Sequence, residues 1–574
     1  METKQITIPT KPIRNYLPAN FSITAWEQLE PYFIALKTRN ISSVIELKKW
    51  LLDKSELEAV LSEDMAWRYI KMTCDTTNEA LTAAYQFFIS EIEPKIAPYS
   101  NELNKKLINS PFLSELNEEK YHIYIRSVKK ALALYREENI PLLAQIATEA
   151  QKYGALSAAM TIEWKGKEIT LQMAASLMKD LDRSVREEVF IKIQKRRDLD
   201  KNAFNDLYTT LIQLRHQVAL NAGFKNYRDY KFEELGRFDY NADDCYHFQE
   251  SIAKEILPLA VASDEERKVA LKLQTLKPWD TDVDIEGKSA LKPFIDSNEL
   301  LNKSIECFYK VRPAYGNYLE IMKTMGHLDL ASRKGKAPGG YNYPLYECGV
   351  PFIFMNAVGT HRDLVTMVHE GGHAIHSFVT HDLEITDFKS TPSEVAELAS
   401  MSMELISMEH WDVFFKNSDD LKRAKKEQLD KSLKMLLWIA TIDKFQHWVY
   451  LNPTHTIEER TNSWNNILAE FSSTVVDWKG FEDAKARMWQ SQLHIFEVPF
   501  YYIEYGMAQL GAIAIWRNYK KNAEKALNAY EAALRLGYTK SIPEIYKAAE
   551  IEFNFSQTYV KELADFVKKE LNNL

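Results

Sequence analysis

Glycine and proline are scarce in this chain. Its 574 residues hold 18 glycines and 19 prolines, both below ordinary usage, and long runs of strong helix formers recur throughout. That excludes a collagen-like, low-complexity or turn-rich all-β chain and predicts a mainly α fold. Cysteine is scarcer still. Cys74, Cys245, Cys307 and Cys348 lie far apart and form no CxxC, which suggests neither a disulfide framework nor a cysteine metal site. No apolar run approaches the ~20 residues needed to span a bilayer. The start, METKQITIPTKPIRNYLP, lacks the continuous apolar segment of a signal peptide. Positive charge is not in excess either: 72 Lys and Arg stand against 81 Asp and Glu, a formal charge of −9, which removes the electrostatic reason to expect nucleic acid. The KRR cluster at 195–197 sits among acidic residues and reads as a solvated helix face. A cytoplasmic protein with no nucleic-acid and no membrane partner is expected, its oligomeric state left open.

What is present is a folded, largely helical composition: 46% hydrophobic, 27% charged and 12% aromatic. From about residue 20 to 150 helix follows helix, without a fixed-period repeat. Residues 158–172, AAMTIEWKGKEITLQ, interrupt this with two β-leaning runs about Lys165-Gly166-Lys167, the pattern of a hairpin. Helical patterning then resumes. A boundary near 195–200 divides the expected organisation into an N-terminal helical region, 1–195, and a catalytic region, 196–574. A second non-helical island spans roughly 327–358 and ends in a strand-like run, Val350–Met355. It predicts a small sheet beside the helix that follows. An edge strand there would either bind an extended peptide by strand addition or serve as an ordinary structural hairpin.

In so glycine-poor a chain, VTMVHEGGHAIHSF at 365–378 is anomalous. Thr360 and Asp363 form a capping pair, and Leu364, Val365, Val368, Ile375 and Phe378 recur at helical spacing. Each glycine costs such a helix about 1 kcal/mol relative to alanine, so Gly371 and Gly372 imply close approach of another group. His369 and His373, four residues apart, face the same way one turn from each other. Two imidazoles so placed can hold one zinc ion, with Glu370 alongside to take a proton from an activated water and pass it to a leaving amine.

Such a site needs a third protein ligand. A third histidine at the H-E-x-x-H-x-x-G-x-x-H spacing is excluded, because Val379 occupies that place. His376 lies two turns from His369, about 10 Å along the axis. It suits either an outer or substrate-facing role or plain packing. In TPSEVAELASMSMELISME, 391–409, Thr391, Pro392 and Glu394 fit a capping box at a helix start. Glu397 follows one turn later beside Ala396, Ala399 and Ser400, small residues that allow close helix packing. Glu397 is the expected third ligand, and Glu404, two turns on, is placed to orient a ligand histidine.

With HEGGHAIH followed by EVAELASMSME, the sequence resembles the zinc peptidases of the thimet oligopeptidase and oligoendopeptidase F family. That family carries H-E-x-G-H-x-x-H and then E-x-x-S-x-x-x-E, here His369, Glu370, Gly372, His373 and His376, then Glu397, Ser400 and Glu404. The glycine–tyrosine segment APGGYNYPLYECGVPFIFMN, with Gly339, Gly340 and Tyr341, is similar to one in the oligoendopeptidase F branch, which implies for those three a role either behind the metal ligands or near substrate. The resemblance covers most of the chain from about 110 onward; the first hundred residues match only in being helical. It further implies that His494 and tyrosines of HIFEVPFYYIEYG, 494–506, bind substrate and the tetrahedral intermediate. The glycine-rich H-x-x-G-G-Y form is missing, so Tyr501, Tyr502 and Tyr505 remain alternatives. Read as residues, a helix starting at Pro499 puts Tyr501 and Tyr505 on one face, where phenol hydroxyls can meet an oxyanion or form an aromatic core stripe.

The implied architecture is two helical halves enclosing a deep substrate channel, with one zinc ion on its floor. The implied activity is hydrolysis of internal bonds in short peptide substrates. A zinc carboxypeptidase or dipeptidyl-carboxypeptidase is the alternative, though it needs a cationic clamp that no motif locates. A non-catalytic helical peptide-binding protein is a third reading, disfavoured by Glu370, which a purely structural site does not need.

Overall fold

The computed structural model describes residues 7–116, 118–337 and 339–574. Residues 1–6 of the amino-terminal stretch quoted above, Asn117, and Pro338 of the glycine–tyrosine segment lie outside the described residues. Helices dominate, as the composition predicts. The chain forms two compact units, each assembled from three stretches: 1–133, 292–424 and 511–553 in the first, and 134–291, 425–510 and 554–574 in the second. Residues 195–200, where the sequence pattern suggested a boundary, fall in the second unit at the junction of helices Arg183–Leu199 and Lys201–Asn221.

In the first unit, aromatic and leucine side chains of the amino-terminal helices make one core. Trp26, Phe33, Trp50, Leu57 and Tyr121 gather there with Phe388. A three-stranded sheet is built from β1 (Leu328–Ala331), β2 (Tyr341–Tyr343) and β3 (Phe352–Ala357). The apolar run of β3 takes the centre, with β1 parallel on one side and β2 antiparallel on the other. The strand starts two residues later than the sequence pattern suggested. Pro351 lacks an N–H for the ladder, and the Val350 carbonyl instead accepts a hydrogen bond from His327 Nδ1 at 3.0 Å.

Four helices of this unit surround the histidine motif: α1 (Ser297–Val311), α2 (His361–Val379), α3 (Ser393–Ser407) and α4 (Ala523–Arg535). Helix α2 opens on the expected capping box. Asp363 N donates to Thr360 Oγ1 at 3.3 Å, and Thr360 N donates to Asp363 Oδ2 at 2.8 Å. Helix α3 corrects the sequence reading. Its N-cap is Pro392, without a side-chain cap, and Glu394 is buried instead of closing a box with Thr391.

The paired glycines have separate uses. A Cβ on Gly372 would stand 2.5 Å from Ser400 Cα and 2.7 Å from the Ala399 carbonyl oxygen, both backbone atoms of α3. A Cβ on Gly371 would stand 2.5 Å from the Phe308 ring of α1. The close neighbours are thus two helices. Gly372→Ala should destabilise the protein by about 1–3 kcal/mol through overpacking, despite the helix propensity gained. Gly154, within helix Asn139–Ala158, has nothing within 4 Å of its would-be Cβ. Its change to alanine should raise the melting temperature, so a pair of thermal scans with shifts of the same sign would refute this assignment.

The second unit carries the expected hairpin, Thr161–Trp164 against Lys167–Thr170, paired antiparallel. Lys165 and Gly166 have φ of 50° and 75°, the left-handed pair of a tight type I′ turn. Its core cluster joins Ile162, Phe190 and Trp279.

Candidate metal centre

Because α2 and α3 meet at Gly372, side chains flanking that contact converge. His369 and His373 are one turn apart on α2, their ring centroids separated by 5.0 Å and their planes by 86°. Glu397 Oε2 of α3 lies 3.4 Å from His369 Nε2 and 3.8 Å from His373 Nε2. One donor atom from each of the three falls within 4.8 Å of the others. Two imidazole nitrogens and a carboxylate oxygen suit zinc, which takes three protein ligands in a site that keeps a position open.

The surrounding groups hold these donors. Glu404 Oε1 lies 2.7 Å from His369 Nδ1, which directs the other ring nitrogen toward Glu397. Ser400 Oγ donates to Glu397 Oε2 at 3.1 Å. The phenol of Tyr530, on α4, donates to the Ala399 carbonyl at 2.8 Å and ties α3 in place. Glu404→Gln should weaken metal affinity about 10–100-fold, as loss of a carboxylate behind a ligand histidine does; competition with a chelating dye measures it.

Charge follows burial. In the metal-free chain burial pushes the Glu370 carboxyl up to about 7, and the Glu397 charge adds to this against the pull of His369. Burial pushes His373 down to about 4 and His376 to about 3, which leaves both imidazoles neutral. Burial also opposes charge on His369, yet hydrogen bonds to Glu397 and Glu404 raise it well above its ordinary value.

The remaining expected residues lie as follows. His376 is buried on α2 facing the Leu534 backbone, and it is not among the three converging donors. Gly339, with φ of 98°, is exposed. A Cβ on Gly340 would sit 3.4 Å from the Phe354 carbonyl of β3. Tyr341 stacks on Phe354 with centroids 4.8 Å apart, and its hydroxyl shares a 2.6 Å hydrogen bond with Thr73. Its ring is therefore packed in the unit's core. Between Tyr341 and Tyr343, Asn342 points the other way and donates to the Glu370 carbonyl at 3.3 Å. The sequence reading missed Asn342; strand alternation was the available signal.

His494 and the late tyrosines belong to the second unit. The His494 ring centroid lies 6.0 Å from Tyr501, 4.8 Å from Tyr502 and 5.8 Å from Tyr505. The helix begins at Tyr502, not Pro499, so Tyr501 precedes it. Phe500 turns the chain with φ of 68°. Gln446 Oε1 accepts its N–H at 2.8 Å, and Arg237, paired with Glu504 at 3.0 Å, donates to its carbonyl. Tyr501 and Tyr505 still approach to 5.4 Å. Trp438 Nε1 donates to Gln492 Oε1 at 2.8 Å, which leaves the Gln492 amide nitrogen, 2.7 Å from His494 Nδ1, as the donor there.

The sequence model of Peptidase family M3 matches residues 176–565, and that of the Peptidase M3 N-terminal domain matches 18–135. The chain belongs to peptidase family M3. The likeness therefore reaches into the first hundred residues, which carry no catalytic motif to reveal it by eye. Within the family it falls in the oligoendopeptidase F branch. It is 23% identical over 505 residues to an oligoendopeptidase F homolog of Borreliella burgdorferi, covering 82% of this chain and 81% of that one. Oligopeptidase PepF of Bacillus subtilis is 22% identical over 376 residues, 62% of this chain and 54% of the relative. Among solved structures, PZ peptidase A with an inhibitor superimposes with a TM-score of 0.90 at 27% identity, over 96% of this chain and 97% of that one. This M3 chain is a peptidase of the metallo-oligopeptidase kind, and among its described residues no helix is long and apolar enough to cross a membrane.

Proposed function

We propose that this M3 peptidase is a zinc-dependent endopeptidase that hydrolyses internal bonds of short oligopeptides. The observation that carries the reading is the convergence of His369, His373 and Glu397 donor atoms within 4.8 Å, with the buried carboxyl of Glu370 next in sequence to one of them. His369, His373 and Glu397 hold one zinc ion, and Glu404 orients His369. Zinc, when bound, lowers the pKa of water and polarises a carbonyl. Glu370 accepts the proton of the attacking water and returns it to the departing amine; burial is what holds its affinity for that proton in a useful range. Asn342 fixes the backbone of the same residue. Following the family resemblance, His494 and one or more of Tyr501, Tyr502 and Tyr505 donate hydrogen bonds to the developing oxyanion. His376 contributes packing behind the histidine pair. With no disulfide among its four cysteines, the chain suits a reducing compartment, and we assign it to the cytoplasm.

Mass spectrometry of products from a mixed-length peptide library tests the proposal. The expected result is cleavage at internal bonds, equal for free and amidated C-termini, with an upper limit on peptide length. Strict dependence on a free C-terminal carboxylate would favour the carboxypeptidase reading instead.

A further inference from the structure

The second unit contains another cluster of metal-ligating side chains, which the family motifs do not include. Helix Ala242–Glu255 turns Cys245 and Gln249, spaced i and i+4, inward. The long helix Ser418–Leu451 turns Asp443 and His447, also i and i+4, toward them. Cys245, Asp443 and His447 are all buried, and one ligand atom from each lies within 4.8 Å of the others.

The cluster has unmet needs. Asp443 is 0% exposed. Its Oδ2 accepts from Gln249 Nε2 at 2.7 Å and lies 3.4 Å from His447 Nε2, while its Oδ1 has no partner. Both ring nitrogens of His447 also lack a hydrogen-bond partner. Aromatic rings close the surroundings: Tyr246, Phe500 and Phe232 lie 4.9, 5.4 and 5.7 Å from the His447 ring. Among the described residues no lysine or arginine pairs with Asp443. A carboxylate with no lysine or arginine partner and one oxygen unmatched is costly among aromatic rings.

We propose that Cys245, Asp443 and His447 bind a second divalent transition-metal ion, zinc by preference, in a buried site apart from the first. Thiolate, imidazole and carboxylate are the borderline-soft donors that zinc takes. One divalent ion balances the carboxylate and the thiolate formed when Cys245 gives up its proton, and it engages a lone pair of neutral His447. The result is electrically neutral, which fits a site without lysine or arginine. Asp443 Oδ2 and His447 Nε2, 3.4 Å apart, already stand near the edge of roughly 3.5 Å that tetrahedral zinc sets with such ligands. Gln249 already orients Asp443 as a supporting group would. The ion would also brace the Phe500 turn, whose ring packs on His447 and whose following residues are the tyrosines of the second unit.

Full-length protein stripped by chelator and reloaded with cobalt(II) tests this without reference to activity. The expected result is two ions per chain by elemental analysis and a near-ultraviolet thiolate-to-cobalt absorption band, which the site at His369 and His373 cannot produce because it has no cysteine. The band should persist in the His369→Ala, His373→Ala double variant and vanish in Cys245→Ser, with ion content falling by one in each. Wild-type protein that takes up cobalt without a thiolate band, or binds one ion and shows none, overturns the proposal; neither result depends on how a variant folds.

Discussion

Glu370→Gln should lower kcat/KM for an internally quenched peptide by roughly 10²–10⁴-fold, the share that a positioned acid–base group supplies, with metal content unchanged. Glutamine keeps the shape of the side chain and loses only its ability to take and return a proton. The pH dependence should change with it. In the metal-free chain burial lifts the Glu370 carboxyl to about 7, and a nearby divalent cation favours the ionised form and moves it lower. The wild-type rate should therefore fall as pH drops through that shifted value, while the residual rate of Glu370→Gln should lose this limb. Stability changes in the opposite sense. A carboxyl whose folded pKa is raised stabilises the fold fully below its unfolded value, near 4.5, and that contribution is lost by about pH 7. Metal-free Glu370→Gln should thus melt higher than metal-free wild type at pH 8 and no higher at pH 4. A variant with wild-type turnover and a normal acid limb would remove Glu370 from the chemistry.

Local periodicity made much of this molecule readable. The Thr360–Asp363 box, the i, i+4 histidines and the Lys165-Gly166 hairpin depend on residues within a turn of one another, and their geometry follows from the pattern alone. The approach of Glu397 to the histidine pair was legible for a less local reason: small residues beside it announced a close helix contact, though only the structure pairs Gly372 with Ser400 and Gly371 with Phe308. Where partners are distant in sequence, the pattern misled. Thr391 and Glu394 fit a capping box, yet packing of α3 buries Glu394. Pro499 looked like a helix start, but Gln446 and Arg237, more than fifty residues away, hold Phe500 in a left-handed turn and delay the helix to Tyr502. Tyr341 stacks on Phe354, and its neighbour Asn342, which no motif singled out, reaches α2. Cys245 offered no spacing motif at all, because its companions Asp443 and His447 come from a helix some two hundred residues on.

Removing a donor at the first centre should have the largest effect of any substitution. His373→Ala and Glu397→Ala should each reduce peptide turnover to background, and dialysis against a chelator should do the same to wild type until zinc is returned. Two donors cannot replace three at a site that must also keep a position for water. Glu397→Asp should fall between, because its carboxylate is withdrawn by about 1.5 Å, one carbon–carbon bond, and loses the support of Ser400. The variants also differ without metal. His369 is held well above its ordinary pKa by hydrogen bonds to both Glu397 and Glu404, so Glu397→Ala should lower it, visibly by NMR titration, whereas a glutamate merely packed nearby would leave it in place. Zinc that binds Glu397→Ala as tightly as wild type would mean that the ion takes its third ligand elsewhere, and the assignment of this carboxylate would fail even if the peptidase activity stood.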